Sequence, residues 1–181
     1  MDEWGIKYYQ PRWTNSSDEL TSLLLEASLK KEQVKSIWTA QDSEDGEWFK
    51  DAPVVICTQT KQLELCASHL DRFSFSINSI DLYSSIYWCG TKEDGELPLS
   101  WILADCPEIQ DLIGKKIAEV GIIEYQMSDE NQDFLSVDEW LLHGVAFYLQ
   151  DRWFRVLNGL DCNRLDFKAE LERSLRYTSI Y

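Results

Sequence analysis

Residues 73–80 read Phe-Ser-Phe-Ser-Ile-Asn-Ser-Ile, and in the first five of them apolar and small polar side chains alternate. This period of two is typical of a β-strand that buries one face and exposes the other. Two further β-rich segments, 54–59 and 63–68, precede it at short spacing. Because short connections join antiparallel neighbours, the three segments predict a run of antiparallel strands.

Further strands are indicated along most of the chain. Their β-branched and aromatic residues are the side chains that suit a pleated, half-buried surface. The predicted strands are 34–38, 116–125, 145–150, 153–158 and 175–181.

The clearest helical pattern covers residues 17–30. Ser16 and Glu19 form a capping box at its start. Apolar residues then recur at spacings of three and four, at Leu20, Leu23, Leu24 and Ala27. A second, short helix is predicted at 107–113, since Pro107 suits a first helical turn. The sequence therefore predicts a strand-dominated α+β fold: an antiparallel sheet, strongly curved or in two layers, with one amphipathic N-terminal helix packed on a face.

An internal repeat is indicated within this single domain, 1–181. The halves would be 31–104 and 115–181, each with a strand, an acidic loop, a β-hairpin and a Leu-Asp turn. Two explanations stay open, a duplication and convergent patterning of hairpins. A shift of 90 residues places Val55 on Val145, Leu63 on Trp153, Cys66 on Val156, Leu70 on Leu160 and Asp71 on Asp161, and a shift of 86 places Val34 on Val120 and Ile37 on Ile123.

The repeat predicts a register for each hairpin. A turn at 61–62 would place Cys57 opposite Cys66, and a turn at 151–152 would place Phe147 opposite Val156. A thiol pair at a position where the other copy has two apolar residues favours core packing. A cross-strand disulfide or a shared metal is the alternative.

The net charge of the chain favours some classes of binding partner over others. The chain of 181 residues has 17 Lys and Arg against 32 Asp and Glu, a net charge of −15. No basic run is present, so nucleic-acid binding is not expected, whereas a basic protein partner would be attracted. The simpler explanation is that the acids keep an aromatic-rich protein soluble.

The lack of a recognisable targeting signal and the spacing of the cysteines predict a cytoplasmic protein. The N-terminus lacks the features of a secretory signal, and no apolar run approaches the roughly 18 residues that cross a bilayer. The five cysteines form no CxxC pair, which favours reduced thiols. We therefore expect no membrane association.

Catalytic motifs are absent from the sequence. His69 and His143 have no metal-ligand spacing, and no phosphate loop or nucleophile elbow occurs. We therefore predict no catalytic residue, no metal site and no cofactor, and expect a protein that is not an enzyme.

Acidic residues beside tryptophan form the candidate binding face. Tryptophan is enriched in interface hot spots, and acids attract basic partners. The alternative is that each tryptophan anchors its loop to the core while the acids face water. The predicted partner-binding residues are Asp42, Glu44, Asp45, Glu47, Trp48, Asp138, Glu139 and Trp140.

Four segments of the first half carry a resemblance to a known class of protein. They are 34–41 (Val-Lys-Ser-Ile-Trp-Thr-Ala-Gln), 45–48 (Asp-Gly-Glu-Trp), 53–56 (Pro-Val-Val-Ile) and 77–82 (Ile-Asn-Ser-Ile-Asp-Leu). With the acidic charge, this pattern resembles small bacterial immunity proteins encoded beside polymorphic or contact-dependent toxins. The resemblance implies a non-catalytic protein that binds a toxin tightly, often a basic nuclease.

The functional hypothesis is a non-enzymatic binding or inhibitor protein for a basic protein such as a toxin domain. A first alternative is a small-molecule-binding domain with an aromatic pocket lined by Phe75, Trp88 and Trp101. A second alternative is an enzyme whose site the sequence motifs do not reveal.

Overall fold

The computed structural model describes residues 4–88, 97–126 and 140–181. Over these residues the chain forms two antiparallel sheets and two helices, so the predicted α+β, strand-dominated fold is confirmed. The helices are α1 (Ser17–Ala27) and α2 (Pro107–Gln110). The strands are β1 (Arg12–Thr14), β2 (Val34–Asp42), β3 (Val54–Thr58), β4 (Gln62–Ser68), β5 (Arg72–Ile77), β6 (Ile86–Trp88), β7 (Leu97–Leu103), β8 (Ile117–Gln126), β9 (Trp140–Leu149), β10 (Arg152–Asn158), β11 (Asn163–Asp166) and β12 (Leu175–Ser179).

The two sheets share a topology. The first, strongly curled sheet has the order β1-β5-β4-β3-β2-β7-β6, and the second has the order β11-β10-β9-β8-β12. Each contains a four-stranded meander, β2 to β5 and β8 to β11, followed by a later strand that pairs with the first strand of its meander. The two meanders fall within the two predicted halves of the chain.

Helix α1 forms where its cap and its apolar residues predict it. The Ser16 hydroxyl accepts a hydrogen bond from the Glu19 N–H, as in a capping box. The helix ends at Ala27, three residues earlier than predicted, because Ser28 takes a left-handed conformation. Its four predicted apolar residues are all buried, and the helix packs against β8 of the second sheet and β1 and β5 of the first. Helix α2 is likewise shorter than predicted, and a turn follows it up to Gly114.

The main core lies between the two sheets and α1. Both hairpins contribute buried residues to it, and four of these match between the two: Val54, Ile56, Leu63 and Leu65 in the first, and Val145, Phe147, Phe154 and Val156 in the second. Ala67 of the first hairpin and Leu142 and Leu149 of the second belong to the same core. A second cluster occupies the opposite face of the first sheet, since Val55 belongs to it while its neighbours belong to the main core. Ile6 and Tyr9 of the N-terminal segment cover this second cluster.

The predicted hairpin registers are wrong. Cys57 pairs with Gln62 rather than Cys66, and Phe147 pairs with Phe154 rather than Val156. The first turn is at 59–60, because the Glu32 carboxylate accepts hydrogen bonds from the Thr58 hydroxyl at 2.8 Å and from the Thr60 hydroxyl at 2.7 Å. The second turn is at 150–151, where Gln150 has a φ of 57°.

The observed turns also correct the alignment of the halves. The hairpins correspond with a shift of 91 rather than 90, since the shift of 91 places the core residues Val54, Ile56, Leu63 and Leu65 on Val145, Phe147, Phe154 and Val156. An error of one residue exchanges the inward and outward faces of a strand. The shift between β2 and β8 is 83 rather than 86, with Ile37 equivalent to Val120. The duplication itself stays a prediction.

The two halves are joined where β2 and β8 begin. Gln33 and Lys116 form an antiparallel bridge, and the Val34 N–H donates to the Lys115 carbonyl at 3.0 Å. Gln33 and Lys116 are 83 residues apart, the shift between their strands, so they are equivalent positions that pair with each other. At this junction the two meanders therefore pair with each other through equivalent positions, which is the local arrangement that a two-fold relation would produce.

Two other expectations concern thiols and membranes. Cys57, Cys66, Cys106 and Cys162 are free, so the disulfide between Cys57 and Cys66 does not form, and Cys89 lies outside the described residues. A search of the described residues for a membrane-crossing helix found none of sufficient length and apolar character.

Candidate binding surface

The predicted acidic loop connects β2 to β3 and is held by its own aspartates. The Asp42 carboxylate accepts from the Glu44 N–H and the Asp45 carboxylate accepts from the Glu47 N–H, both at 2.8 Å. Gly46 provides the left-handed turn, with a φ of 77°. Glu44, Asp45 and Glu47 are exposed. The loop thus presents carboxylates on an ordered backbone.

Trp48 closes this loop and faces inward. Its main chain forms a bridge with Gln41, its ring packs against the main core, and its indole N–H is buried without a hydrogen-bond partner in the structure. The Lys50 ammonium lies 5.8 Å from the ring centroid. These contacts favour the anchoring interpretation of Trp48, in which the ring packs on the core and the acids face water.

The second predicted loop is described only at its end. Asp138 and Glu139 lie outside the described residues, and Trp140 is the first residue of β9. Trp140 is half-buried, and the Arg176 guanidinium lies 4.3 Å from its ring centroid. Arg176 also forms a 2.6 Å ion pair with Glu124, which lowers the pKa of that carboxyl despite its partial burial. Trp140 therefore packs under the Arg176 guanidinium, and the Glu124 carboxylate holds that guanidinium in place.

Charge is distributed unevenly over the molecule. Segment 42–51 contains five acids and one lysine, 1 − 5 = −4. Every ion pair among the described residues joins side chains within the sequence range 111–176, so no residue of segment 42–51 takes part in one. Partial burial, together with the neighbouring Asp161, raises the pKa of Asp51. Uncompensated negative charge therefore extends from the loop to the β10–β11 turn.

That turn meets the β4–β5 turn of the other sheet. The Asn158 amide donates to the His69 carbonyl at 2.6 Å, and the Asp161 carboxylate accepts from the His69 N–H. Each turn carries a leucine that points into solvent, since Leu70 is 64% and Leu160 is 79% exposed. Two leucines this exposed on neighbouring turns are unusual for a surface that only contacts water.

A cavity of about 360 Å³ lies between these leucines and one end of the second sheet. Its lining is mainly apolar, and we name it the turn pocket: Leu70, Tyr125, Leu141, His143, Leu160 and Leu175. The ion pair of Arg164 with Glu172, at 3.7 Å, also borders it.

His143 contributes an imidazole to the wall of the turn pocket. Burial, and then the nearby Arg164, lower its pKa to about 4. The Tyr125 ring lies 5.9 Å from the imidazole, centroid to centroid. The imidazole is therefore neutral near pH 7, and the pocket wall carries no charge from it.

Metal-ligand clusters and reactive thiols are scarce among the described residues. No group of three or more His, Cys, Asp or Glu side chains among them could hold a metal ion. Burial raises the pKa of the Cys66 thiol to about 12, so this thiol is not a nucleophile at neutral pH.

The aromatic pocket of the alternative hypothesis does not form. Phe75 lies in the main core, whereas Trp88 and Trp101 belong to the cluster on the opposite face of the first sheet. The cavity that does form lies elsewhere, beside the two turns. The Leu-Asp dipeptides at 70–71 and 160–161 mark its two turns in the sequence, but they do not reveal that the leucines are exposed.

Comparisons with known proteins found no matching family model, curated protein or solved structure.

Proposed function

We propose that this protein is a non-enzymatic binding protein that inhibits a basic protein partner, in the way that immunity proteins neutralise toxin domains. The observation that carries the proposal is the uncompensated acidic segment 42–51, continued by Asp161 on the neighbouring turn. Its exposed carboxylates are free to pair with the cations of a partner.

The negative charge of this surface affects binding of a basic protein in two ways. A patch of one sign steers an oppositely charged protein toward it and raises the association rate, which salt then lowers. A partner that pairs with the carboxylates also relieves the repulsion between Asp51 and Asp161. We therefore expect fast, salt-sensitive association with a basic protein.

The loop is ordered before a partner arrives. Its two aspartate-based turns and the packed Trp48 ring fix the backbone on either side of Glu44 and Glu47. A preorganised loop loses little conformational entropy on binding. This property suits an inhibitor that must bind tightly.

The test begins with the tagged protein purified from its host at low salt, and with identification of a stoichiometric basic protein. With that protein purified, the Glu44→Lys/Glu47→Lys variant should bind at least about tenfold more weakly, mainly through slower association. Glu108→Lys/Glu170→Lys makes the same change of charge at exposed positions elsewhere and is the matched control. Loss of the partner's activity at one equivalent of this protein would establish inhibition.

Two results would contradict the proposal. One is the absence of any basic protein that binds at low salt. The other is equal weakening by the loop variant and its control, which would mean that only net charge matters.

A further inference from the structure

The turn pocket is a largely apolar cavity bordered by two strongly exposed leucines. Leu70 and Leu160 come from different sheets, yet they stand side by side because Asn158 and Asp161 hydrogen-bond the main chain of His69. The pocket is therefore built by the contact between the two halves of the molecule.

We propose that the turn pocket receives a large apolar side chain of the basic partner, while Lys or Arg residues next to that side chain pair with Asp71 and Asp161. This inference rests on the proposed function and identifies the part of the surface that supplies apolar contact. The acidic loop would then attract the partner, and the turn pocket would hold it.

Exposure of the leucines favours a protein over a small molecule. A small ligand inside the cavity would contact the inner sides of Leu70 and Leu160 and leave their outer sides in water. A protein surface that inserts one side chain covers both leucines and the cavity together. Interface hot spots have this form, with one buried anchor surrounded by residues that exclude water.

Charge around the cavity favours a basic partner. Asp71 lies beside Leu70, and Asp161 lies beside Leu160. Arg164 is paired with Glu172, so this pair adds no net charge to the border. An apolar side chain with flanking cations therefore matches the pocket and its border, whereas flanking acids would be repelled by Asp71 and Asp161.

The pocket is also preformed. His69, Leu160 and Asp161 all have a positive φ, 55°, 69° and 66°. Non-glycine residues keep such a conformation only where surrounding contacts fix it. Here the contacts are the hydrogen bonds between the turns, so the leucines need little reordering when a partner binds.

The test titrates the full protein with three blocked synthetic peptides, followed by NMR of leucine methyl groups and of the His143 ring. They are Lys-Arg-Leu-Trp-Arg-Lys, the charge-only Lys-Arg-Ala-Ala-Arg-Lys, and the acidic Glu-Asp-Leu-Trp-Asp-Glu. The first should shift the signals of Leu70, Leu160 and His143 and bind at least about tenfold more tightly than the other two.

Two variants locate the contact. Leu70→Ser/Leu160→Asn should weaken binding of the first peptide about tenfold, and asparagine is chosen because it tolerates the left-handed conformation at 160. Leu25→Ser removes an exposed leucine of α1 that does not line the pocket, and it should leave binding unchanged. Thermal unfolding of both variants checks that they are folded.

Each contrary outcome is distinct. Equal binding of the charge-only peptide would overturn the pocket inference and leave the acidic-surface proposal standing. Equal binding of the acidic peptide would show a general apolar site and overturn the charge match. If no peptide shifts the pocket signals, the pocket inference falls, while the proposed function is decided by the Glu44→Lys/Glu47→Lys experiment with the purified partner.

Discussion

The side-chain oxygen of Asn163 accepts a hydrogen bond from the main-chain N–H of Ala67 at 2.9 Å, and this contact joins the second sheet to the first. The Asn163 amide nitrogen donates to the carbonyl oxygens of Lys50 and Ala52, both at 2.8 Å. Asn163 is fully buried. One side chain therefore satisfies three main-chain groups of the neighbouring half.

Removing this side chain should destabilise the protein strongly. We expect Asn163→Ala to lower the free energy of unfolding by about 3 kcal/mol or more, because it leaves buried N–H and C=O groups without partners. Urea denaturation measures the change. Gln110→Ala, which removes an exposed side-chain hydrogen bond, should cost less than about 0.5 kcal/mol. If Asn163→Ala lowered the free energy of unfolding by less than about 1 kcal/mol, the Asn163 side chain would not be a main contact between the two sheets.

Local patterns explain which parts of the fold were predictable. The alternation of Phe73 and Phe75 with serines marks a strand, and the Ser16 cap marks a helix, because each signal lies within a few neighbouring residues. The turn at 59–60 was missed because Glu32, which holds it, is far away in sequence.

The candidate site was less predictable, for a similar reason. The acids of the loop were found from composition, but nothing local tells that Leu70 and Leu160 are exposed rather than buried. Their exposure depends on hydrogen bonds between turns about 90 residues apart. Asn163 likewise looks like an ordinary turn residue until the other half is packed against it.

The ion pair between Arg155 on β10 and Asp166 on β11 should tolerate removal of both partners better than removal of the carboxylate alone. Arg155 is 1% exposed, donates to Asp166 at 2.9 Å and has a buried Nε without a partner in the structure. We expect Asp166→Ala to cost about 3 kcal/mol, because it leaves a buried cation uncompensated. The double variant Arg155→Met/Asp166→Ala should recover part of that loss in urea denaturation. A double variant less stable than Asp166→Ala alone would contradict the argument.

Close strand packing requires glycine at position 144. A Cβ added to Gly144 would lie 2.2 Å from the Val156 carbonyl oxygen on β10, so the main chain would have to move. We expect Gly144→Ala to lower the free energy of unfolding by about 2 kcal/mol. Gly159→Ala, whose Cβ would meet only side-chain atoms at 3.2 Å or beyond and one carbonyl at 3.4 Å, should cost clearly less. Similar losses for the two variants in thermal unfolding would exclude this explanation.

Thiol labelling tests the corrected hairpin register. With Cys57 paired to Gln62 rather than Cys66, no disulfide can join the two cysteines, and denatured protein should show five free thiols without a reductant. In the native state the buried Cys66, with its pKa raised to about 12, should react only as fast as the protein unfolds. The Cys66→Ser variant identifies its signal. A count of three thiols, with the disulfide mapped to Cys57 and Cys66 by peptide digestion, would refute the register.

His143 should make stability depend on pH below neutrality. Burial and then Arg164 lower its pKa from 6.5 to about 4, so the unfolded state binds a proton between these values while the folded state does not. This contribution is fully present above pH 6.5, is lost as the pH falls toward 4, and amounts to about 1–3 kcal/mol for a partly solvated ring. Besides Arg164, the groups that face the imidazole are Glu172 and the Tyr125 ring.

The measurement is the free energy of unfolding of the protein and of His143→Gln at a series of pH values from 7 to 4. The variant should lose less stability over that interval, because it has no imidazole to protonate. Protonated His143 would also place a positive charge in the turn pocket, so binding of the Lys-Arg-Leu-Trp-Arg-Lys peptide should weaken near pH 4 in the unmodified protein more than in His143→Gln. Parallel stability curves for the protein and His143→Gln would show that the ring titrates alike in both states.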